Sequence, residues 1–137
     1  MDPLIVAAKL ESLRRCVARI EARRVPTAAD LAADVDVQDI VALNLTRAVQ
    51  LCVDVALHVL SDGDGPPPET MGEAFDALAE AGAISDRLAQ RMRSAVGFRN
   101  LAIHAYQSID WAIVQRLTYE GVDDLRAFAA AVARLIP

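Results

Sequence analysis

Apolar residues recur at helical spacing along most of the chain. Val6, Leu10, Leu13, Val17 and Ile20 follow one another at 4, 3, 4 and 3 residues, with Lys9, Arg14, Arg15 and Glu21 on the remaining faces. That pattern predicts an amphipathic helix over residues 2–23. Residues 22–36, with Pro26 and Thr27-Ala-Ala-Asp30, read as a loop carrying a short helical turn. A second helix, about 37–60, is apolar almost all round (Ile40, Val41, Leu43, Leu45, Leu51, Cys52, Val55, Leu57, Val59), which predicts a central, buried position. Its polar exceptions Asn44, Arg47, Asp54 and His58 form one stripe interrupted by Leu51. Charges on such a helix must pair, or face water or a polar interface, because isolated burial is costly.

Ser61-Asp-Gly-Asp-Gly-Pro-Pro-Pro-Glu69 is punctuation, a turn followed by a stiff run too short to join two domains. Thr70-Met-Gly-Glu73 fits a capping box opening a short helix with Phe75, Leu78 and Ala79 on its apolar face, and Gly82 suits a left-handed stop. Ser85 then caps a helix from 86 to about 101, with Leu88, Met92, Ala95 and Val96 inward and Arg87, Arg91 and Arg93 outward. After a bend at 104–107, Ser108 is placed to cap a helix bearing Trp111, Val114 and Leu117. A last helix over 123–136 buries Leu125, Phe128, Val132 and Leu135. No strand pattern, internal repeat or glycine-rich phosphate loop interrupts this series. The fold class is an all-α bundle of four to six helices in one domain, residues 1–137.

Composition narrows the function more than the fold. Hydrophobic residues make up 54% and aromatics only 4%, so the core rests on aliphatic side chains. No run of 18 or more apolar residues occurs, and the first residues lack a basic start with an uninterrupted apolar stretch, so a cytoplasmic protein without a membrane segment is expected. Cys16 and Cys52 sit among apolar neighbours with neither C-x-x-C spacing nor a His at ligand distance, which reads as buried thiols and no metal site. A net charge of -5 argues against general nucleic-acid binding, so any RNA contact must be local or shared with a partner.

One stretch departs from the aliphatic monotony. Arg99, Asn100, His104 and Tyr106 crowd into eight residues between two helices. Arg is a fixed cation whose planar fork matches phosphate, and His can both take and give a proton near neutral pH. Cutting RNA internally requires a base for the ribose 2′-hydroxyl, a cation for the phosphorane and an acid for the leaving 5′-oxygen. His104 would serve as base or acid, Arg99 would hold the phosphate and Asn100 would orient it. One copy has only one such His, so a two-fold dimer would complete the pair. The stripe on the second helix is either an ordinary solvated face or a wall of this site, with Asp54 orienting one of its cations. R-x-x-x-x-H alone is a weak pattern, and Tyr106 alone is more often a packing residue at a turn.

Arg99-Asn100-x-x-x-His104-x-Tyr106, late in an all-helical chain and preceded by the Arg47-Ala-Val-Gln-Leu-Cys-Val-Asp54 helix, closely resembles the HepT toxins of the HEPN superfamily. The resemblance runs from the first helix to the last. It implies a metal-independent endoribonuclease without a cofactor, acting as a homodimer with Arg99 and His104 of both copies lining an interface cleft. It also implies a partner, an antitoxin with a minimal nucleotidyltransferase fold, able to transfer AMP from ATP to Tyr106. Asp54 falls at an acidic position that such toxins often carry, as a supporting residue. A different class of reading is a non-catalytic HEPN module that supports the partner enzyme and merely binds nucleotide or RNA.

Overall fold

A computed structural model describes residues 1–137. The chain forms α1 (Pro3–Arg23), α2 (Ala28–Ala32), α3 (Val35–Leu60), α4 (Met71–Glu80), α5 (Asp86–His104), a 3-10 turn (Tyr106–Ser108), α6 (Trp111–Arg116), a π-helical segment (Leu117–Gly121) and α7 (Val122–Ala133). The backbone stays right-handed helical through the junctions at Leu117, Arg116 and Val122, so α6, the π segment and α7 form one continuous rod. The two final helices expected from the sequence are therefore one rod with a widened turn. With that rod counted once, the all-α bundle has six helices.

Each start is capped as local chemistry dictates. Asp2 accepts from Leu4 N–H ahead of Pro3, Asp34 from Val37 N–H, Thr70 from Glu73 N–H and Ser85 from Leu88 N–H. Glu73 reaches back to Glu69 N–H at 2.9 Å, one residue earlier than a standard capping box. Gly82, at φ 77°, ends α4: its N–H donates to Ala79 O and that of Ala83 to Leu78 O. Asp110, not Ser108, caps α6, accepting from Ala112 N–H at 2.9 Å.

The centre of the bundle is α3, as expected, with Val41, Ala48, Cys52, Val53, Val55 and Ala56 fully enclosed. By length and composition α3 is apolar enough to cross a membrane, but more than half of that stretch is covered by the other helices. Antiparallel to it lies α1: Met1 pairs with Asp62, Asp2 N–H donates to His58 Nε2 at 3.0 Å, and Lys9 stands 3.9 Å from Asp54. Phe75 of α4 meets Phe128 of α7 edge to face at 5.6 Å, both fully buried. Arg91 grips Asp124 of α7 at 2.7 and 2.8 Å, and Arg93 pairs with Asp76 of α4, so two of the three outward arginines of α5 are tied down. Both cysteines are buried and free, and burial raises both thiols above their ordinary range.

Candidate functional site

The last two turns of α5 carry Arg99, Asn100 and His104, and the helix ends where Ala105 leaves helical geometry at φ -149°, ψ 54°. The chain then tightens into the 3-10 turn, with Ser108 N–H donating to Ala105 O and Ile109 N–H to Tyr106 O. Buried Ile109 pins the end of this turn to the core. His104 is thus exposed at a helix terminus, where its imidazole can reach a ligand.

Arg99 is half-buried. Its Nη1 donates to Asn100 Oδ1 at 2.9 Å, while its Nε is buried with no partner. A buried donor left unsatisfied costs about 1–3 kcal/mol. Asn100 therefore steadies one arm of the fork, while Nη2 makes no hydrogen bond and is left for an anion. Five residues along a helix correspond to about 7.5 Å of rise and about 140° of rotation, so Arg99 and His104 point along different directions. No hydrogen bond joins them within one copy.

Tyr106 is fixed from two sides. Its ring meets Trp111 edge to face at 5.8 Å, and its hydroxyl donates to Asp39 Oδ1 at 2.6 Å. Asp39 stands near the start of α3, so the turn beyond His104 is tied to the central helix. Burial, the hydrogen bond to Asp39 and that carboxylate's charge push the phenol up to about 12. Asp39 was missed in the sequence because its partner lies 67 residues away; only a carboxylate on the outward face of α3 hinted at it.

The stripe on α3 needs correction. Asn44 is buried and donates to Ile40 O at 2.8 Å, while His58 accepts from the chain's first turn. Asp54 accepts from Gln50 Nε2 at 2.9 Å and faces Lys9, so it does not orient Arg99 or His104 of its own copy. The reason is register: Asp54 lies 15 residues, about 22 Å, along α3 from the Asp39 that anchors the site. An apolar cavity of about 240 Å³ between α5 and the α6–α7 rod includes neither Arg99 nor His104. No group of three or more His, Cys, Asp or Glu side chains is placed to hold a metal ion.

Residues 13–132 match the model of the ribonuclease HepT-like family. The chain belongs to that family. Over 124 residues it is 29% identical to the mRNA nuclease HepT of Shewanella oneidensis, covering 90% of this chain and 92% of that one. A tri-AMPylated HEPN toxin from Shewanella oneidensis, solved with an MNT antitoxin, superposes with a TM-score of 0.89 at 28% identity, over 98% of this chain and 99% of that one. A toxin–antitoxin complex with AMP-PNP gives 0.88 at 27% identity, over 95% and 98%. The HEPN fold and the HepT-like family expected from the motif are both found.

Proposed function

We propose that this HepT-like chain is the toxin of a type VII HEPN/MNT toxin–antitoxin pair, a cytoplasmic endoribonuclease that cuts RNA without a metal at a site shared by two copies. The observation that carries the reading is the placement of Arg99, Asn100 and His104 on the exposed end of α5, in a chain alignable over nine-tenths of its length with an mRNA nuclease. The divergence of Arg99 and His104 within one copy supports a dimer, since a second α5 supplies the missing fork and imidazole from across a two-fold axis. Leu101 and Ile103, 38% and 49% exposed on the same turns, are apolar surface that such an interface would cover.

In this mechanism one His104 takes the proton from the ribose 2′-hydroxyl as its oxygen attacks phosphorus. The P–O5′ bond breaks, and the second His104 gives a proton to the departing 5′-oxygen, leaving a 2′,3′-cyclic phosphate and a free 5′-hydroxyl. The two Arg99 forks hold the phosphate and the charge that builds on it. Arg99 supplies a permanent cation, so the reading calls for neither metal nor cofactor.

The partner is a minimal nucleotidyltransferase antitoxin that binds the chain and AMPylates Tyr106. Support comes from the AMPylated HEPN toxin with its MNT antitoxin and from the position of Tyr106, exposed by 39% and two residues past His104. A phosphate and adenosine there would fill the cleft and compete for Arg99. Expressing the chain alone in bacteria tests the reading. Growth arrest with RNA cleavage, both lost in His104→Ala and Arg99→Ala, is the expected result; harmless expression of the unaltered chain overturns it and leaves a non-catalytic module.

A further inference from the structure

Away from the α5 site, α1 and α3 enclose a groove of about 410 Å³ that nothing above accounts for, lined in part by Arg15, Arg19, Arg47, Gln50 and Asp54. In a chain of net charge -5 this is a concentration of cations. Arg15 is engaged by Glu11 at 3.5 Å and Asp54 by Lys9 at 3.9 Å, but Arg19 and Arg47 have no carboxylate within ion-pair distance. Their positive fields converge on the Cys16 thiol that also lines the groove, which places them on the same part of its wall. Gln50 donates its amide N–H to Asp54. Two free planar forks side by side are complementary to a ligand with anionic oxygens, such as the phosphates of an RNA backbone.

The register of α3 connects this groove to the α5 site. Asp39, Leu43, Arg47, Gln50 and Asp54 are spaced 4, 4, 3 and 4 residues apart, so they fall within about 80° of one another on one outward face. Asp39 holds Tyr106 beside His104, and Arg47 lies eight residues further, about 12 Å along the helix. Between them Leu43, 50% exposed, offers an apolar step on which a base can rest. We infer that this face of α3 is a track for the substrate strand: Arg19 and Arg47 hold phosphates a few nucleotides from the bond that Arg99 and His104 cut. The inference rests on the ribonuclease reading.

Binding, not cleavage, tests it. A fluorescent 12-nucleotide single-stranded RNA is titrated with the full chain carrying His104→Ala, then with Arg19→Gln and Arg47→Gln added, folding being checked by circular dichroism. The expected result is at least tenfold weaker binding at 0.15 M salt. The slope of log affinity against log salt should also fall by about 1.4, or about 0.7 for each lost phosphate contact. Arg87→Gln with Arg134→Gln removes the same charge from exposed positions elsewhere and should leave affinity within twofold. Equal weakening by both pairs, or by neither, overturns the track. So does an unchanged RNA affinity accompanied by weaker binding to the nucleotidyltransferase, which would make the groove a protein-docking face. If the unaltered chain cuts no RNA and the His104→Ala protein binds none, the ribonuclease reading fails first.

Discussion

The hydroxyl of Tyr106 donates to Asp39 Oδ1 at 2.6 Å, joining two positions 67 residues apart in the chain. This bond makes the turn after His104 part of the bundle rather than a loose exit from α5. It also fixes the protonation of the tyrosine, because a phenol that donates to a carboxylate loses that bond on ionising.

Tyr106 should therefore titrate late. Its phenol is pushed up from the ordinary 10 to about 12, first by burial and then by Asp39. The folded chain keeps this proton while the unfolded chain loses it, so stability is fully present below pH 10 and falls as pH rises towards 12. Absorbance titration of a Tyr119→Phe background isolates the group. Asp39→Asn should lower its midpoint without restoring it fully, because burial remains; a midpoint that does not move would show that the carboxylate contributes nothing.

The proposed AMPylation of Tyr106 would have a structural consequence. The ester has no hydroxyl proton, so the bond to Asp39 is lost, and the new phosphate anion is repelled by that carboxylate. The turn over residues 106–109 should loosen. Coexpression with the nucleotidyltransferase should give mass gains in AMP units that are absent from Tyr106→Phe, together with faster amide exchange at Ser108 and Ile109. A modified chain with unchanged exchange there would show that the cleft is merely filled.

The helices were readable in the sequence because burial, capping and turn chemistry are local: the 4, 3, 4, 3 spacing in α1, the Thr70 and Ser85 caps and the Gly82 stop all stand as expected. What escaped were relationships set by packing. Asn44 has the polarity of a surface residue, but packing carries it inward, where its Nδ2 donates to Ile40 O and its Oδ1 is left without a partner. Asp54 shares a helix with the residues near the site yet lies too many turns away. The widened turn at Leu117–Gly121 left no periodic signature. It is supported from outside by Arg24, which donates to Thr118 O at 3.1 Å and lies 4.1 Å over the Tyr119 ring. The motif residues were legible individually, but their divergence around α5 was visible only once the helix was seen to continue to His104.

Arg99 should resist conservative replacement. An ammonium cannot reproduce a fork that spans Asn100 and a phosphate together, so Arg99→Lys should retain little more RNA cleavage than Arg99→Ala, with both down by about 10²-fold or more. Asn100→Ala frees the fork and should cost less. Single-turnover cleavage assays rank the three; a lysine variant near full rate would reduce Arg99 to a point charge.

The bundle should be most sensitive where its few aromatics meet. Phe75 and Phe128 are fully buried and in edge-to-face contact at 5.6 Å, linking α4 to α7 across the core. The aliphatic neighbours would relax only partly into the space that either ring would leave. Phe128→Ala should therefore destabilise the fold by about 3–5 kcal/mol, whereas Gly82→Ala, which forces a Cβ into the left-handed region, should cost about 1–2 kcal/mol. Because α7 also receives Arg91 through Asp124, loss of its packing should loosen α5 and lower RNA cleavage, although Phe128 lies outside the site. Chemical denaturation with parallel cleavage assays separates the two effects: if Phe128→Ala unfolds earlier in denaturant yet keeps full activity while folded, α7 does not hold the α5 site in place.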